Sequence, residues 1–500
     1  MKYISTRDSS RSVSASYAIA NGISKEGGLF VPESFPQIAP EKLSEMAGQT
    51  YQQRAEEILS LYLTDFTKEE LSRCVQGAYG GGKFADSAIA PLAKLSESAY
   101  MLELWHGPTC AFKDMALQLL PHMLTVSASK EAAGKEIVIL VATSGDTGKA
   151  ALEGFRDVEG TRIMVFYPND GVSDMQKLQM VTQLGGNVSV CAIEGNFDDA
   201  QTAVKKVFTD PQMARQLAER GMMFSSANSI NWGRLVPQIV YYFSAYAQLL
   251  ADREISLGDP INVVVPTGNF GNILAAYYAM KMGLPVRKFI CASNANNVLS
   301  DFIRDGIYDR NRPFYTTISP SMDILISSNL ERLLFDLYDR DDRKVQKLMA
   351  QLSADGRYVL ENQAKEKLTQ LFWGGCCDDA ATKDTIGRVF QEFGYLCDTH
   401  TAVAVRVYEE YVKQTGDRTK SVIASTASPF KFCESVIHAI SPDSSTAKLD
   451  EFEKLELLRQ LSGKEIPQPL ADLQARAVRF DDVCTKEEMP SYILRQLNRA

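Results

Sequence analysis

One lysine differs from the others in its position in the chain. Lys113 lies in ELWHGPTCAFKDMALQLL, residues 103–120, where an apolar helical pattern begins. The amino end of a helix carries partial positive charge, so a cation there is disfavoured and its pKa falls. Burial beside Phe112 would act in the same direction. An amine with a lowered pKa is the nucleophile that Schiff-base chemistry needs. Position alone also allows an ordinary solvated lysine.

A glycine-containing turn later in the chain has the features of a phosphate site. The segment PTGNFGNILAAYY, residues 266–278, places Gly268 and Gly271 between a buried apolar run and a helical pattern. Glycines let backbone N–H groups approach an anion closely, and a helix start supplies unpaired N–H groups. Asn269 and Asn272 add side-chain donors. The spacing favours a phosphate site and an ordinary strand-to-helix turn about equally, and it does not match the dinucleotide fingerprint.

Three more predicted strand ends carry polar side chains. The candidate residues are Ser144, Asp146 and Thr147 in ATSGDTGKAA (142–151), Asn228, Ser229, Asn231 and Arg234 in MMFSSANSINWGRL (222–235), and Thr426 in SVIASTASPFKF (421–432). The first cluster is not an ATPase P-loop, because its glycines are too close together. An arginine can bind phosphate with two hydrogen bonds, which favours an anion site. The structural alternative at each strand end is a helix cap, which Ser, Thr, Asp and Asn also favour.

These clusters require a framework of alternating strands and helices. Apolar runs such as IVILVATS (137–144) alternate with helical patterns, which predicts a doubly wound α/β fold with mostly parallel sheets. Parallel sheets bind ligands at the carboxyl ends of their strands. We predict a mainly helical N-terminal segment over 1–95, an α/β catalytic region over 96–440 with a helical insertion at about 320–370, and a C-terminal helical arm over 441–500.

Composition limits the classes of protein that the chain can belong to. The 500 residues are 45% hydrophobic and carry a net charge of −9, which favours a soluble protein and disfavours a nucleic-acid partner. We find no apolar run long enough to span a bilayer and no secretory signal. The nine cysteines and four histidines show no zinc-ligand spacing, so we expect no metal. Scattered cysteines in an odd number favour a reduced, cytoplasmic protein.

Considered together, the motifs resemble those of threonine synthases of the long bacterial and fungal branch. The resemblance runs from residue 1 to about residue 440 and rests on HGPTCAFKDMALQLL, ATSGDTGKAAL, SANSINWGRL, PTGNFGN, SPSMDILISSNLERLLF and STASPFKF, in that order. It implies fold type II of the enzymes that use pyridoxal 5′-phosphate (PLP), with two catalytic α/β domains. It also implies the reaction of that family, which converts O-phospho-L-homoserine and water to L-threonine and phosphate.

The resemblance also implies roles for particular residues. By matching position, Lys113 is expected to attach PLP, Gly268, Asn269, Phe270, Gly271 and Asn272 to hold its phosphate, Thr426 to lie beside the pyridine nitrogen, and Ser144, Asp146 and Thr147 to face the substrate and the ring oxygen. The substrate's anionic groups are expected at Asn228, Ser229, Asn231 and Arg234. Thr399 departs from the proline of many members, which we expect to affect only a turn.

Two alternatives share part of this pattern. Another fold type II enzyme, such as a serine/threonine ammonia-lyase or a cysteine synthase, would have the same lysine and glycine loop. The features that distinguish a threonine synthase from such an enzyme are the long N-terminal segment, the 320–370 insertion and the second anion site. A catalytically inactive relative that binds PLP or a phosphorylated ligand is the other alternative. We expect a small-molecule substrate, and a monomer or a homodimer.

Overall fold

Sixteen strands occur in the part of the chain that the structure describes. The structure is a computed structural model, and it describes residues 1–131, 134–143, 145–169, 172–195 and 197–498. The strands are β1 (Tyr3–Ser5), β2 (Asp8–Val13), β3 (Phe30–Pro32), β4 (Leu92–Lys94), β5 (Ala99–Glu103), β6 (Glu136–Ala142), β7 (Thr161–Pro168), β8 (Val188–Ile193), β9 (Met222–Ser225), β10 (Ile261–Pro266), β11 (Val286–Ser293), β12 (Ile307–Asp309), β13 (Arg357–Val359), β14 (Phe372–Cys376), β15 (Ser421–Ser425) and β16 (Val483–Cys484).

Helices connect and cover these strands. They are α1 (Ala15–Asn21), α2 (Pro40–Met46), α3 (Tyr51–Tyr62), α4 (Lys68–Tyr79), α5 (Asp114–Leu117), α6 (Leu120–Glu131), α7 (Asp146–Phe155), α8 (Asp174–Val181), α9 (Phe197–Thr209), α10 (Pro211–Glu219), α11 (Trp232–Ala251), α12 (Gly271–Lys281), α13 (Val298–Asp305), α14 (Leu330–Leu337), α15 (Asp342–Asp355), α16 (Asn362–Leu371), α17 (Asp379–Phe393), α18 (Thr399–Thr415), α19 (Cys433–Ile440), α20 (Glu451–Ser462), α21 (Gln468–Ala471) and α22 (Met489–Leu497). Short 3-10 turns at Pro320–Met322 and Pro429–Phe432 are important for the site.

The larger sheet has six strands in the spatial order β14–β11–β10–β15–β5–β4. All neighbours are parallel except β4, which runs antiparallel to β5. Every residue of β10 and β15 is buried, as expected for strands covered on both faces. The carboxyl ends of β10 and β15 lie side by side, so the segments that follow them meet at one edge of the sheet.

The smaller sheet has five parallel strands in the order β16–β8–β7–β6–β9. Strands β6 to β9 come from one stretch of chain between β5 and β10, so four of the five strands of the smaller sheet are nested within the chain of the larger one. Runs of five buried residues in β6 and six in β7 explain why these strands could be predicted from sequence. The predicted doubly wound, mostly parallel α/β fold is confirmed.

The N-terminal segment contains strands as well as the expected helices. Helices α1 to α4 are present, but strands β2, β1 and β3 also form a small antiparallel sheet. Strand β2, with the sequence DSSRSV, has no buried residue, so it lacks the alternating apolar pattern that marks a strand. Strand β4 already belongs to the larger sheet, which therefore begins just before the boundary that we predicted at residue 95.

Two other regions contain more than the predicted helices. The 320–370 insertion holds α14, α15 and α16, together with β13, which pairs with β12 outside the insertion. The C-terminal arm holds α20, α21 and α22, together with β16, which adds a fifth strand to the smaller sheet. Both strands have three residues or fewer, which is too short for a periodic pattern.

Thr399 lies in a helix and not in a turn. It is the first residue of α18, directly after the capping residue Asp398. Proline is favoured at that position of a helix, because its missing N–H would have no partner there and its φ angle suits a helix. Threonine is compatible with the same place, so the departure from the family pattern leaves the local structure unchanged.

One buried arginine joins three distant parts of the chain behind the sheet edge. The guanidinium of Arg332, which is fully buried, donates hydrogen bonds to the carbonyl oxygens of Phe30 (3.0 Å) and Ile230 (2.6 Å) and to the side chain of Asn329. Burial lowers the pKa of Arg332 to about 10. The N-terminal segment, the 226–231 loop and the start of α14 are therefore held in one arrangement.

Within the described residues, no helix combines the length and the apolar character needed to cross a membrane. All nine cysteines are free thiols.

We expect Arg332→Met to lower the free energy of unfolding by about 3 kcal/mol, because three buried acceptors would lose their donor. Urea unfolding followed by tryptophan fluorescence measures this change, and Trp232 reports on the same core. Arg343→Met is the matched control, because Arg343 is exposed. The control should change the free energy by less than about 0.5 kcal/mol. Equal effects of the two substitutions would contradict the assigned role.

Candidate active site

A backbone bridge places Lys113 at the edge of the larger sheet. Ala111 and Ala427 form an isolated antiparallel bridge. The N–H of Phe112 donates to the carbonyl oxygen of Thr426 at 2.8 Å. The segment before Lys113 is thus fixed to the segment that follows β15. Two predicted site residues, Lys113 and Thr426, are brought together although they are distant in sequence.

The amine of Lys113 lies in a nearly closed polar pocket. The side chain is 12% exposed, and its Nζ lies 3.8 Å from Asp146 Oδ2. Nζ donates a hydrogen bond to Ser321 Oγ at 3.2 Å. Burial lowers the pKa of Lys113 to about 8, the charge of Asp146 partly opposes this, and the cations Lys431 and Arg234 lower it further. The direction agrees with the one predicted from sequence, and burial is its main cause.

A second buried lysine shares the carboxylate of Asp146. Lys431 Nζ donates to Asp146 Oδ1 at 2.7 Å and to the carbonyl oxygen of Thr109 at 3.1 Å. Burial would raise the pKa of Asp146, but Lys431 and Lys113 outweigh it and hold that pKa well below its usual range. Sequence reasoning missed Lys431. The signal was present, since Lys431, like Lys113, directly follows a phenylalanine where a helical turn begins.

Asp114 lies at the start of the helix that follows Lys113 but does not cap it. It is the first residue of α5, and its carboxylate accepts from the N–H (2.8 Å) and the hydroxyl (2.7 Å) of Thr109. Burial raises the pKa of Asp114 to about 6, although the hydrogen bonds from Thr109 oppose it. Asp114 therefore closes the loop before Lys113.

The glycine turn has the shape of an anion cradle. Phe270 has a left-handed backbone (φ 62°) directly before α12, which turns the chain into the helix start. A Cβ atom at Gly268 would lie 2.5 Å from the carbonyl oxygen of Ser321, so only glycine fits. The first N–H groups of α12 have no partner within the helix. Asn272 is buried, and its Nδ2 has no hydrogen-bond partner among the described residues.

The insertion supports this turn from outside. Ser327 Oγ donates to the carbonyl oxygen of Gly268 at 2.8 Å, and Asn329 Nδ2 donates to that of Asn269 at 3.1 Å. The side chain of Asn269 itself is exposed. Residues 320–332 are therefore part of the site, whereas the sequence suggested only an inserted helical region.

The 228–234 cluster divides into two kinds of residue. Arg234 is buried, donates through Nη1 to the carbonyl oxygen of Ala227 at 2.6 Å, and leaves Nε without a partner among the described residues. Burial lowers the pKa of Arg234 to about 10. Asn228 is exposed and Ser229 is half-buried. The predicted contact of these residues with the substrate stays a prediction.

Asn231 has a structural role that the sequence prediction did not include. It is fully buried and caps α11, because its Oδ1 accepts from the N–H of Gly233 at 2.8 Å. Its Nδ2 donates to the carbonyl oxygens of Ile19 (3.0 Å) and Ser226 (2.8 Å). These bonds use both ends of the amide, so Asn231 supports the loop from behind.

The remaining predicted residues lie near the start of α7. Ser144 falls outside the described residues. Thr147 is half-buried in the first turn of α7. Gly145 has a φ of 142°, and a Cβ atom there would lie 2.3 Å from Gln176, whose Nε2 donates to Asp146 Oδ1 at 3.2 Å. Close packing of the turn thus positions the carboxylate of Asp146.

Known proteins match almost the whole chain. The family models "Threonine synthase N terminus", "Pyridoxal-phosphate dependent enzyme" and "Threonine synthase, C-terminal" match residues 2–79, 88–362 and 401–493. Human threonine synthase-like 1 is 42% identical over 456 residues, which are 88% of this chain. The chain spans only 60% of the length of that relative. Threonine synthase from Pseudomonas aeruginosa is 38% identical over 95% of this chain and 97% of its own.

A solved structure agrees with the sequence matches. The PLP-bound threonine synthase from Brucella melitensis has a TM-score of 0.88 and 35% identity, with 99% of each chain covered. The doubly wound sheets, with a buried lysine beside a glycine turn, define the class of PLP-dependent enzymes of fold type II. Within that class, the chain belongs to the threonine synthase family.

The residues present fit the cofactor of that class. Lys113 offers an amine with a lowered pKa, as attachment to a carbonyl carbon requires. The cradle at Gly268 would be filled by any Cβ atom, and the orphaned Nδ2 of Asn272 lies in the first turn of the following helix. A phosphate group is the ligand that such helix starts favour.

We expect Lys431→Met to raise the pKa of Lys113 above about 8, because the substitution removes a neighbouring positive charge and leaves Asp146 free to pair with Lys113. Competitive acetylation of the cofactor-free full chain, read by peptide mass spectrometry, measures this pKa. Lys431→Arg keeps the charge and should leave the value near about 8. A lower pKa in the Met variant would contradict the electrostatic assignment.

Proposed function

We propose that the chain is a threonine synthase that converts O-phospho-L-homoserine and water to L-threonine and phosphate, with PLP attached at Lys113. The observation that supports this most directly is the buried excess of positive charge. Lys431 and Arg234 both act electrostatically on Lys113, and Asp146 is the carboxylate that Lys113 and Lys431 share. A site of this kind suits two anionic ligands, one belonging to the cofactor and one to the substrate.

The chain's own residues divide the work of holding these ligands. The turn at 268–272 would hold the cofactor phosphate through its N–H groups and Asn272, and Thr426 would lie beside the pyridine nitrogen. PLP, when bound, supplies the electron sink for reactions at the carbon atoms of an amino acid. Arg234, with its unpaired Nε, would bind the phosphate of the substrate, together with Thr147 and Ser144. Asp146 is kept ionised by Lys431 and is therefore an acceptor at all working pH values.

Lys113 is suited to move protons after the substrate amine has displaced it. A pKa of about 8 means that a sizeable fraction of its Nζ is uncharged near neutral pH. An ordinary lysine, with a pKa near 10.4, would be almost fully charged and a poor base. The nearly closed pocket limits water around Nζ, because the side chain is only 12% exposed.

We expect the purified chain to release phosphate from O-phospho-L-homoserine and to form threonine in equal amount. It should release little ammonia from threonine, which separates it from an ammonia-lyase of the same fold. Lys113→Ala should remove both the visible absorption band and turnover, whereas Lys135→Ala, at an exposed lysine, should leave both unchanged. A visible band without phosphate release would favour a PLP-binding relative that lacks this activity.

Arg234→Met should raise KM for O-phospho-L-homoserine by about 10-fold to 100-fold, because a charge-assisted hydrogen bond contributes about 1.5–3 kcal/mol. Steady-state kinetics measure this change, with the visible band as the check that the cofactor site is intact. Arg234→Lys keeps the charge and should lie between the Met variant and the wild type. An unchanged KM in the Met variant would exclude Arg234 from substrate binding.

A further inference from the structure

Ser321 contacts the reactive atom of Lys113, although no sequence feature assigned it a role. Its Oγ lies 3.2 Å from Lys113 Nζ, closer than the carboxylate of Asp146 at 3.8 Å. Ser321 is the middle residue of the 3-10 turn at Pro320–Met322. The same turn packs against the glycine cradle, since the carbonyl oxygen of Ser321 is the atom that a Cβ at Gly268 would meet.

A buried histidine holds Ser321 in place. The N–H of Ser321 donates to His400 Nε2 at 3.1 Å. Because Nε2 accepts this bond, the ring proton must lie on Nδ1, which then donates to Asp398 Oδ1 at 3.0 Å. His400 is 3% exposed and Asp398 is fully buried. The ring of His400 also packs edge-on against Phe432, with 5.0 Å between ring centres.

Asp398 is itself fixed by several donors. Its carboxylate accepts from the N–H of His400 at 2.8 Å, from the N–H of Thr401 at 3.3 Å, and from the Thr401 hydroxyl. Thr401 Oγ1 in turn accepts from the N–H of Thr426 at 3.3 Å. One chain of hydrogen bonds therefore runs from the segment beside the bridge, through Asp398 and His400, to Ser321 and Lys113.

A hydroxyl suits this position in a way that a carboxylate does not. A hydroxyl can donate or accept, whereas an ionised carboxylate only accepts and therefore favours the charged form of a lysine. When Nζ is an ammonium, its N–H donates to Ser321 Oγ. When Nζ is an uncharged amine, the Oγ–H can rotate and donate to its lone pair. The serine proton stays on Oγ in both states, so no bond in Ser321 breaks.

We propose that Ser321 is a catalytic residue whose hydroxyl holds the Lys113 amine in both its charged and its uncharged state, and that His400 and Asp398 are positioning residues for Ser321. This role rests on the proposed function, in which Lys113 is released and then moves protons. The charged groups that face the amine are Asp146 from α7, Lys431 from the Pro429–Phe432 turn, Arg234 from α11 and Asp114 from α5. Asp146 is engaged by Lys431, which leaves Ser321 as the partner within hydrogen-bond distance.

The first experiment compares Ser321→Ala and Ser321→Thr in the holoenzyme. Loss of the hydroxyl should lower kcat for O-phospho-L-homoserine by about 100-fold, with KM changed less than about threefold, because the effect lies on proton movement and not on binding. Ser321→Thr should recover kcat to within about tenfold of the wild type, since it restores a hydroxyl. Borohydride trapping at Lys113 should be unchanged in both variants, which shows that the cofactor site is intact.

The second experiment does not depend on turnover. The cofactor-free full chain is mixed with PLP, and the visible band is followed as Lys113 captures it. Capture also requires an uncharged and well-placed amine, so Ser321→Ala should slow it by about tenfold and reach the same final stoichiometry. If the wild type captures PLP but does not act on O-phospho-L-homoserine, the proposed function fails while the capture rates still decide the role of Ser321.

His400 provides a test of positioning. His400→Ala should lower kcat and the capture rate nearly as much as Ser321→Ala, whereas His400→Gln, which keeps an acceptor, should be milder. The double variant Ser321→Ala/His400→Ala should have the same kcat and capture rate as Ser321→Ala alone, because both substitutions act through one hydroxyl. Two results would overturn the proposal. One is a Ser321→Ala variant whose kcat and capture rate lie within about twofold of the wild type. The other is a double variant whose losses are the full sum of those of the two single variants.

Discussion

A shortage of negative charge is the constraint on which the site depends. Lys113, Lys431 and Arg234 are buried together, and Asp146 is the carboxylate that two of them contact. Buried charges are costly unless they are paired, so three cations facing the carboxylates of Asp146 and Asp114 leave an excess of positive charge. Anionic ligands can balance this excess. The surrounding packing therefore has to hold these cations close together against their mutual repulsion.

Distant segments of the chain provide that packing. The bridge to Ala427 fixes the segment before Lys113, while residues 327–329 support the glycine turn. Arg332 and Asn231 attach the N-terminal segment to the back of the 226–231 loop. The N-terminal segment and residues 327–332 keep the segments that line the site from moving apart.

The sequence predicted the parts of the structure whose pattern is local. Strands β6 and β10 were predictable because they are short buried apolar runs, and Lys113 and the glycine turn because they begin helices. Strand β2 has no buried face and β16 has two residues, so neither has a pattern. Ser321 and His400 could not be assigned from sequence, because their roles arise from contacts between residues far apart. Asn231 caps α11, which is the alternative that the sequence left open for polar residues at strand ends.

Residues that contact each other in the site are far apart in sequence, and this separation determines when the site can form during synthesis. Lys431 and Thr109 hydrogen-bond although 322 residues separate them, and β5 pairs with β15 across a similar interval. A nascent chain that ends before residue 427 has neither the second lysine nor the bridge that fixes Lys113. In such a chain Lys113 is an ordinary solvated amine. Contacts of this range form late, so the reactive lysine is produced only after most of the chain has left the ribosome.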